Sequence, residues 1–122
     1  MIISHKHKFI FIKTKKTAGT SIEVFLSQFC GNDDIVTPIF PHEKNHIAKN
    51  YFGKSNIFSD LFLTRGKNYK SIFSNFIKNQ RFYNHMPAIL VKSRIGNEIW
   101  NSYYKFCVER DPGKNLYHTT TC

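Results

Sequence analysis

His7-Lys8-Phe9-Ile10-Phe11-Ile12-Lys13-Thr14-Lys15-Lys16-Thr17-Ala18-Gly19-Thr20-Ser21 is the stretch on which the reading of this chain turns. Residues 9–12 form a continuous apolar run of strand-forming side chains, as expected of a strand covered on both faces. Lys13, Lys15 and Lys16 crowd positive charge into the turn that follows. Gly19 allows close backbone approach, and Thr20-Ser21-Ile22-Glu23 has the pattern of a capping box that opens a helix. N–H groups, hydroxyls and ammonium groups then converge on one point, which suits a phosphate or a sulfate. The competing reading of the same residues is a solvated basic turn that does no more than cap a helix.

Residue order narrows the chemistry. A nucleoside-triphosphatase P-loop, G-x-x-x-x-G-K-[ST], places lysine after its last glycine, whereas here Lys16 precedes Gly19. The chain has four aspartates, Asp33, Asp34, Asp60 and Asp111, and none closes an apolar strand as a magnesium-holding acid would. A metal-dependent kinase or ATPase is therefore disfavoured, and no metal is expected.

Residues 9–23 resemble the 5′-phosphosulfate loop of the sulfotransferase family, whose donor is 3′-phosphoadenosine 5′-phosphosulfate (PAPS). Residues 95–112, Ile95-Gly-Asn-Glu-Ile-Trp-Asn-Ser-Tyr-Tyr-Lys-Phe-Cys-Val-Glu-Arg-Asp-Pro112, resemble the helix and strand leading to that family's 3′-phosphate site. His85-Met86-Pro87-Ala88 between them resembles a further family segment.

The resemblance implies an α/β fold, a P-loop-containing three-layer sandwich with a parallel sheet, incomplete at its C-terminal side. It assigns Lys16 to the bridging oxygen and phosphate of the donor. Thr17, Ala18, Gly19, Thr20 and Ser21 would hold the 5′-phosphate, and Arg110 would meet the 3′-phosphate through bidentate contacts. Sulfuryl transfer to an acceptor hydroxyl would run in line, with positioning and charge stabilisation carrying the catalysis. His85 is the candidate base for the hydroxyl proton; its alternative role is to order the turn before Pro87. His5, His7, His42 and His46 are weaker candidates, and their spacing has no metal-ligand pattern.

At 122 residues the chain is one domain, and 41% hydrophobic content is adequate for a core. The net charge of +10 suits an anionic donor and an anionic acceptor such as a polysaccharide, or simply a lysine-rich surface. Nucleic-acid binding is the rival for a basic, aromatic-rich chain, but the basic residues are scattered and form none of the usual recognition motifs. Cys30, Cys107 and Cys122 make neither a CxxC pair nor an even framework, which points to a reducing compartment. Cys107 reads as a small buried hydrophobe. With no signal-like N-terminus and no stretch of membrane-spanning length, a cytoplasmic protein is expected.

Along the chain, Ile22, Phe25, Leu26 and Phe29 predict an apolar stripe on a helix over residues 20–29. Residues 34–67 read as irregular, with Pro38 and Pro41 as breakers. Further helices are expected at 69–77, from Pro87 to Gly96 with Lys92 and Arg94 as solvated charges, and at 97–102 with Trp100 as a core anchor. A second strand is expected at 104–109. The domain reading is residues 1–112 as the N-terminal part of a sulfotransferase domain and 113–122 as an aberrant tail, with His118 where the family has a serine. A one-base loss near codon 113 would account for that tail: one choice of codons with the base restored reads Trp-Glu-Lys-Pro-Leu-Ser. Loss of the rest of the sheet predicts a bare strand edge and an uncovered apolar face. The expected activity is sulfuryl transfer from PAPS to a carbohydrate or glycolipid hydroxyl. The alternatives are an inactive remnant that at most binds the nucleotide and, more weakly, a nucleic-acid-binding protein.

Overall fold

The computed structural model describes residues 1–13, 19–39, 46–111 and 116–120, the side chains of 19–20 and of 108 onward excepted. Five strands, β1 (Ile2–Ser4), β2 (Phe9–Phe11), β3 (Ile35–Val36), β4 (Tyr104–Asp111) and β5 (Leu116–Thr120), form one sheet in the order β3-β1-β2-β4-β5. Five helices accompany them: α1 (Gly19–Ser27), α2 (Ile57–Leu63), α3 (Tyr69–Ile77), α4 (Ala88–Ile95) and α5 (Asn97–Ser102). The fold is α/β. The sheet is mixed rather than parallel, which corrects the expectation: β2 and β4 run parallel, while β1–β2, β1–β3 and β4–β5 are antiparallel.

The two expected strands are the parallel neighbours at the centre, with Phe9 opposite Tyr104 and Phe11 opposite Phe106. Parallel strands need a long crossover, and residues 12–103 supply it. Side-chain alternation then sorts the apolar residues onto two faces. Ile3, Ile10, Ile12, Ile35 and Cys107 join Ile72, Leu90 and Val91 from α3 and α4 in the larger core, with Leu61 and Trp100 packed against it. Ile2, Phe11 and Val36 face the other way and meet Ile22 and Leu26 of α1, with Phe9 and Phe106 alongside.

Coverage of the second face is thin. Of the four residues in the expected α1 stripe, Phe25 and Phe29 are 60% and 50% exposed, and Tyr104 on the sheet is 63% exposed. The far edge of β4, expected to be bare, is instead paired by β5, with Arg110 opposite Tyr117 and Cys107 opposite Thr120. These partners come from the segment set apart as a tail.

Residues 34–67 are more regular than expected. β3 adds to β1, and α2 opens with Asn56 as N-cap, its side-chain oxygen accepting the Ser59 N–H at 3.1 Å. α4 and α5 are separated by Gly96 alone, whose φ of 90° is a region that L side chains rarely adopt.

Three carboxylates tie these layers together. Asp34 accepts hydrogen bonds from the Ser4 hydroxyl at 2.9 Å and from the N–H groups of Gly31, His5 and Lys6 at 2.9, 2.8 and 3.2 Å. It therefore fastens the β1–β2 turn to the segment after α1. Burial opposes ionisation of Asp34, but those four hydrogen bonds prevail and hold its pKa below the usual value. Asp60 of α2 receives a bidentate contact from Arg94 of α4, at 2.7 and 3.0 Å, with side chains only 3% and 7% exposed. Arg94, expected to be a solvated charge, is thus a buried structural cation. Its Nε also donates to the Arg81 carbonyl, and Arg81 Nη2 returns a bond to the Arg94 carbonyl. Glu23 of α1, the third carboxylate, lies beside the candidate site.

Candidate functional site

The C-terminal ends of parallel strands in an α/β sheet are where such folds place ligands. In this chain the β2–β4 pair ends at that edge. Ile12 N–H donates to the Phe106 carbonyl at 3.0 Å, so the chain leaves the sheet beside Phe106 and enters residues 13–18. Arg110 lies four positions beyond Phe106 on the neighbouring strand. At about 3.3 Å per residue, its backbone lies roughly 13 Å further along the same direction. The topology thus brings the end of β2, with Ile12 and Lys13 beyond it, and the backbone of Arg110 to the same end of the sheet.

α1 returns from that segment with Gly19 and Thr20 in its first turn and Ser21 exposed. No acidic residue occupies this first turn, so no local carboxylate offsets the partial positive charge of the helix terminus. Lys16, Thr17 and Ala18, together with Lys15 and Thr14, lie outside the described residues. For Thr20 and Arg110 the backbone alone is described.

Three expectations about this segment are corrected. Helix α1 begins at Gly19, so Thr20 is inside the helix rather than at its cap. Glu23 does not serve as the reciprocal member of a capping box. It is fully buried, and its Oε1 accepts the α-amino group of Met1 at 2.6 Å and the Thr37 hydroxyl at 3.3 Å. Lys13, expected to add charge to the turn, faces inward instead. Its side chain is 6% exposed, and Nζ stands 3.3 Å from Glu23 Oε2. His46, 2% exposed, brings Nε2 to 4.0 Å from Glu23 Oε1. Burial lowers the pKa of the Met1 amine to about 6, against the raising influence of Glu23.

The result is a buried polar cluster at the two flanks of residues 14–18. Lys13 precedes them, after β2, and Glu23 lies on the helix that follows. The sequence contained all five of these residues, yet nothing local revealed that Glu23 meets Met1 and Thr37, 22 and 14 positions away.

His85 lies on an exposed turn with φ of 59°, two residues before Pro87, the N-cap of α4. His5 is committed elsewhere, with Nδ1 2.7 Å from the Tyr103 hydroxyl, and His7 Nε2 is 3.1 Å from the Phe29 carbonyl.

Cys107 is buried, as expected, but disulfide-bonded, which corrects the reading of the cysteines as all reduced. Cys30 is a free thiol whose pKa is pushed up to about 11, chiefly by burial. Among the described residues no helix is long and apolar enough to cross a membrane.

No family model, curated protein or solved structure matches this chain.

Proposed function

We propose that this chain binds PAPS across the C-terminal edge of the β2–β4 pair and transfers its sulfuryl group to an acceptor hydroxyl, on a carbohydrate or glycolipid. The observation that supports this reading is the parallel alignment of β2 and β4, which brings the end of β2, just before Lys15 and Lys16 in sequence, and the backbone of Arg110 to one end of the sheet. Lys16 would neutralise charge on the bridging oxygen as the S–O bond breaks. Backbone N–H groups of 17–20 and the Ser21 hydroxyl would hold the 5′-phosphate, with the α1 terminus behind them. Arg110 would clamp the 3′-phosphate. His85 would accept the acceptor's hydroxyl proton.

A second reading is favoured by one feature. β5 pairs along residues 107–111, where the family resemblance calls for a serine-bearing segment after Arg110. On that reading the chain holds the nucleotide and transfers nothing.

Turnover separates the two. The chain is incubated with PAPS and a panel of mono- and oligosaccharides, glycolipids and simple alcohols, and release of 3′-phosphoadenosine 5′-phosphate is followed. Acceptor-dependent release that Lys16→Ala abolishes supports transfer. Nucleotide binding without release under every acceptor supports the second reading.

A further inference from the structure

We propose that the α2–α3 face binds a single-chain anionic amphiphile, its hydrocarbon chain in a groove between the helices and its head group in an adjoining basic pocket. The proposal stands independently of sulfuryl transfer. The groove encloses about 490 Å³ and is walled by Ile57, Phe58 and Leu61 of α2 and by Phe73 and Phe76 of α3. That volume lies within the roughly 300–1,000 Å³ of ordinary small-molecule sites. Phe58 is 86% exposed, and Phe73 and Phe76 are 44% and 43% exposed, so the aromatic walls face water in the free chain.

A second cavity of about 220 Å³ adjoins the first, and Ser55 and Asn56 line both. Its character is opposite. Lys54, Arg81, Ser59 and Ser93 line it together with the Asp60–Arg94 pair. Because Arg94 neutralises Asp60 through two hydrogen bonds, the carboxylate does not oppose an anion, and Lys54 and Arg81 leave two positive charges in excess. Lys54 enters none of the described hydrogen bonds or ion pairs. Arg81 commits Nη2 to the Arg94 carbonyl, and a guanidinium has further donors to offer.

An apolar trough that opens into a cationic, hydroxyl-rich pocket matches a ligand with a hydrocarbon body and an anionic head. A neutral apolar ligand would leave the second cavity's cations without a partner. A flat lipid surface would not fill either concavity.

The test is calorimetric titration of the chain with dodecyl phosphate below its critical micelle concentration. Inorganic phosphate and dodecyl maltoside serve as single-property controls, and phosphatidylglycerol vesicles as a surface control. The expected result is saturable one-to-one binding of dodecyl phosphate, with dodecyl maltoside weaker and phosphate alone silent. Phe58→Ser and Lys54→Ala, both at exposed positions whose replacement spares the core, should each weaken binding by roughly three- to tenfold. Equal affinity for the two dodecyl ligands, indifference to Lys54→Ala, binding to vesicles without binding to the monomeric amphiphile, or self-association through this face in place of ligand binding would each overturn the proposal.

Discussion

Replacing Asp60 and Arg94 separately and together gives the sharpest test of how the helical layer is held. The two side chains are 3% and 7% exposed and share hydrogen bonds of 2.7 and 3.0 Å, so neither charge can turn to water if the other is removed. Losing one member of such a buried pair costs about 3–5 kcal/mol, mostly from the charge left behind. A domain of 122 residues has a total stability of about 6–18 kcal/mol at ordinary values per residue. Asp60→Leu alone and Arg94→Met alone should therefore each remove a large share of the stability.

Arg94→Met also forfeits the Nε bond to the Arg81 carbonyl, worth about 1 kcal/mol. The double variant strands no charge and should be more stable than the sum of the single losses by about 1–3 kcal/mol. Urea unfolding followed by circular dichroism measures all four corners of the cycle. If the single losses were below about 1 kcal/mol each and additive in the double variant, the pair would be a solvated contact and the reasoning would be refuted.

Glu23→Gln should lower stability by about 3–5 kcal/mol, because Lys13 and the Met1 amine would lose their shared buried carboxylate; a midpoint in urea within error of the parent chain would contradict the account. Asp34 has a lowered pKa in the folded state, so its contribution is present above the unfolded value near 3.9 and is lost as pH falls through the folded value. Asp34→Asn should accordingly reduce stability at pH 6 and flatten its decline below about pH 4. An acid limb identical in slope to the parent's would show that Asp34 does not drive it. Leu90→Ala, at a site with no exposure in the larger core, should cost about 2–5 kcal/mol with the spectroscopic signature of the fold retained; a loss under 1 kcal/mol would mean that α4 is not packed as described.

The central strands were legible because the continuous apolar run at 9–12 and the strand-forming Tyr104, Phe106, Cys107 and Val108 carry their own signal. α3, α4 and α5 were likewise legible, through helical spacing at Tyr69, Ile72, Phe73 and Phe76, Pro87 at a helix start and Gly96 as a punctuation point. β1 and β3 were not, since three and two residues are too few for periodicity, and their pairing with each other is a tertiary event. α2 does carry a signal, though within a segment broken by Pro38 and Pro41: Asn56 at a cap, followed by Ile57 and Leu61, and by Phe58 and Phe62, each pair at i, i+4.

The site was legible only as a pattern. Ser21 and the start of α1 lie where that pattern predicts a helix N-terminus, within a residue of the expected start. Local pattern failed where a distant partner competed for the same side chain. Glu23 fits a capping box by spacing, yet a buried carboxylate facing the Met1 amine, the Lys13 ammonium and a hydroxyl gains more from them than from a terminal N–H. Arg94 reads as a solvated helix charge until Asp60, 34 positions earlier, is brought beside it.

Calorimetric titration with 3′-phosphoadenosine 5′-phosphate, set against 5′-AMP, tests the central claim most directly. The account predicts one-to-one binding of the bisphosphate and much weaker binding of AMP. Lys16→Ala should weaken both nucleotides, while Arg110→Ala should abolish only the preference for the 3′-phosphate. A folded chain that binds neither nucleotide, or binds both equally and indifferently to Arg110→Ala, would contradict it.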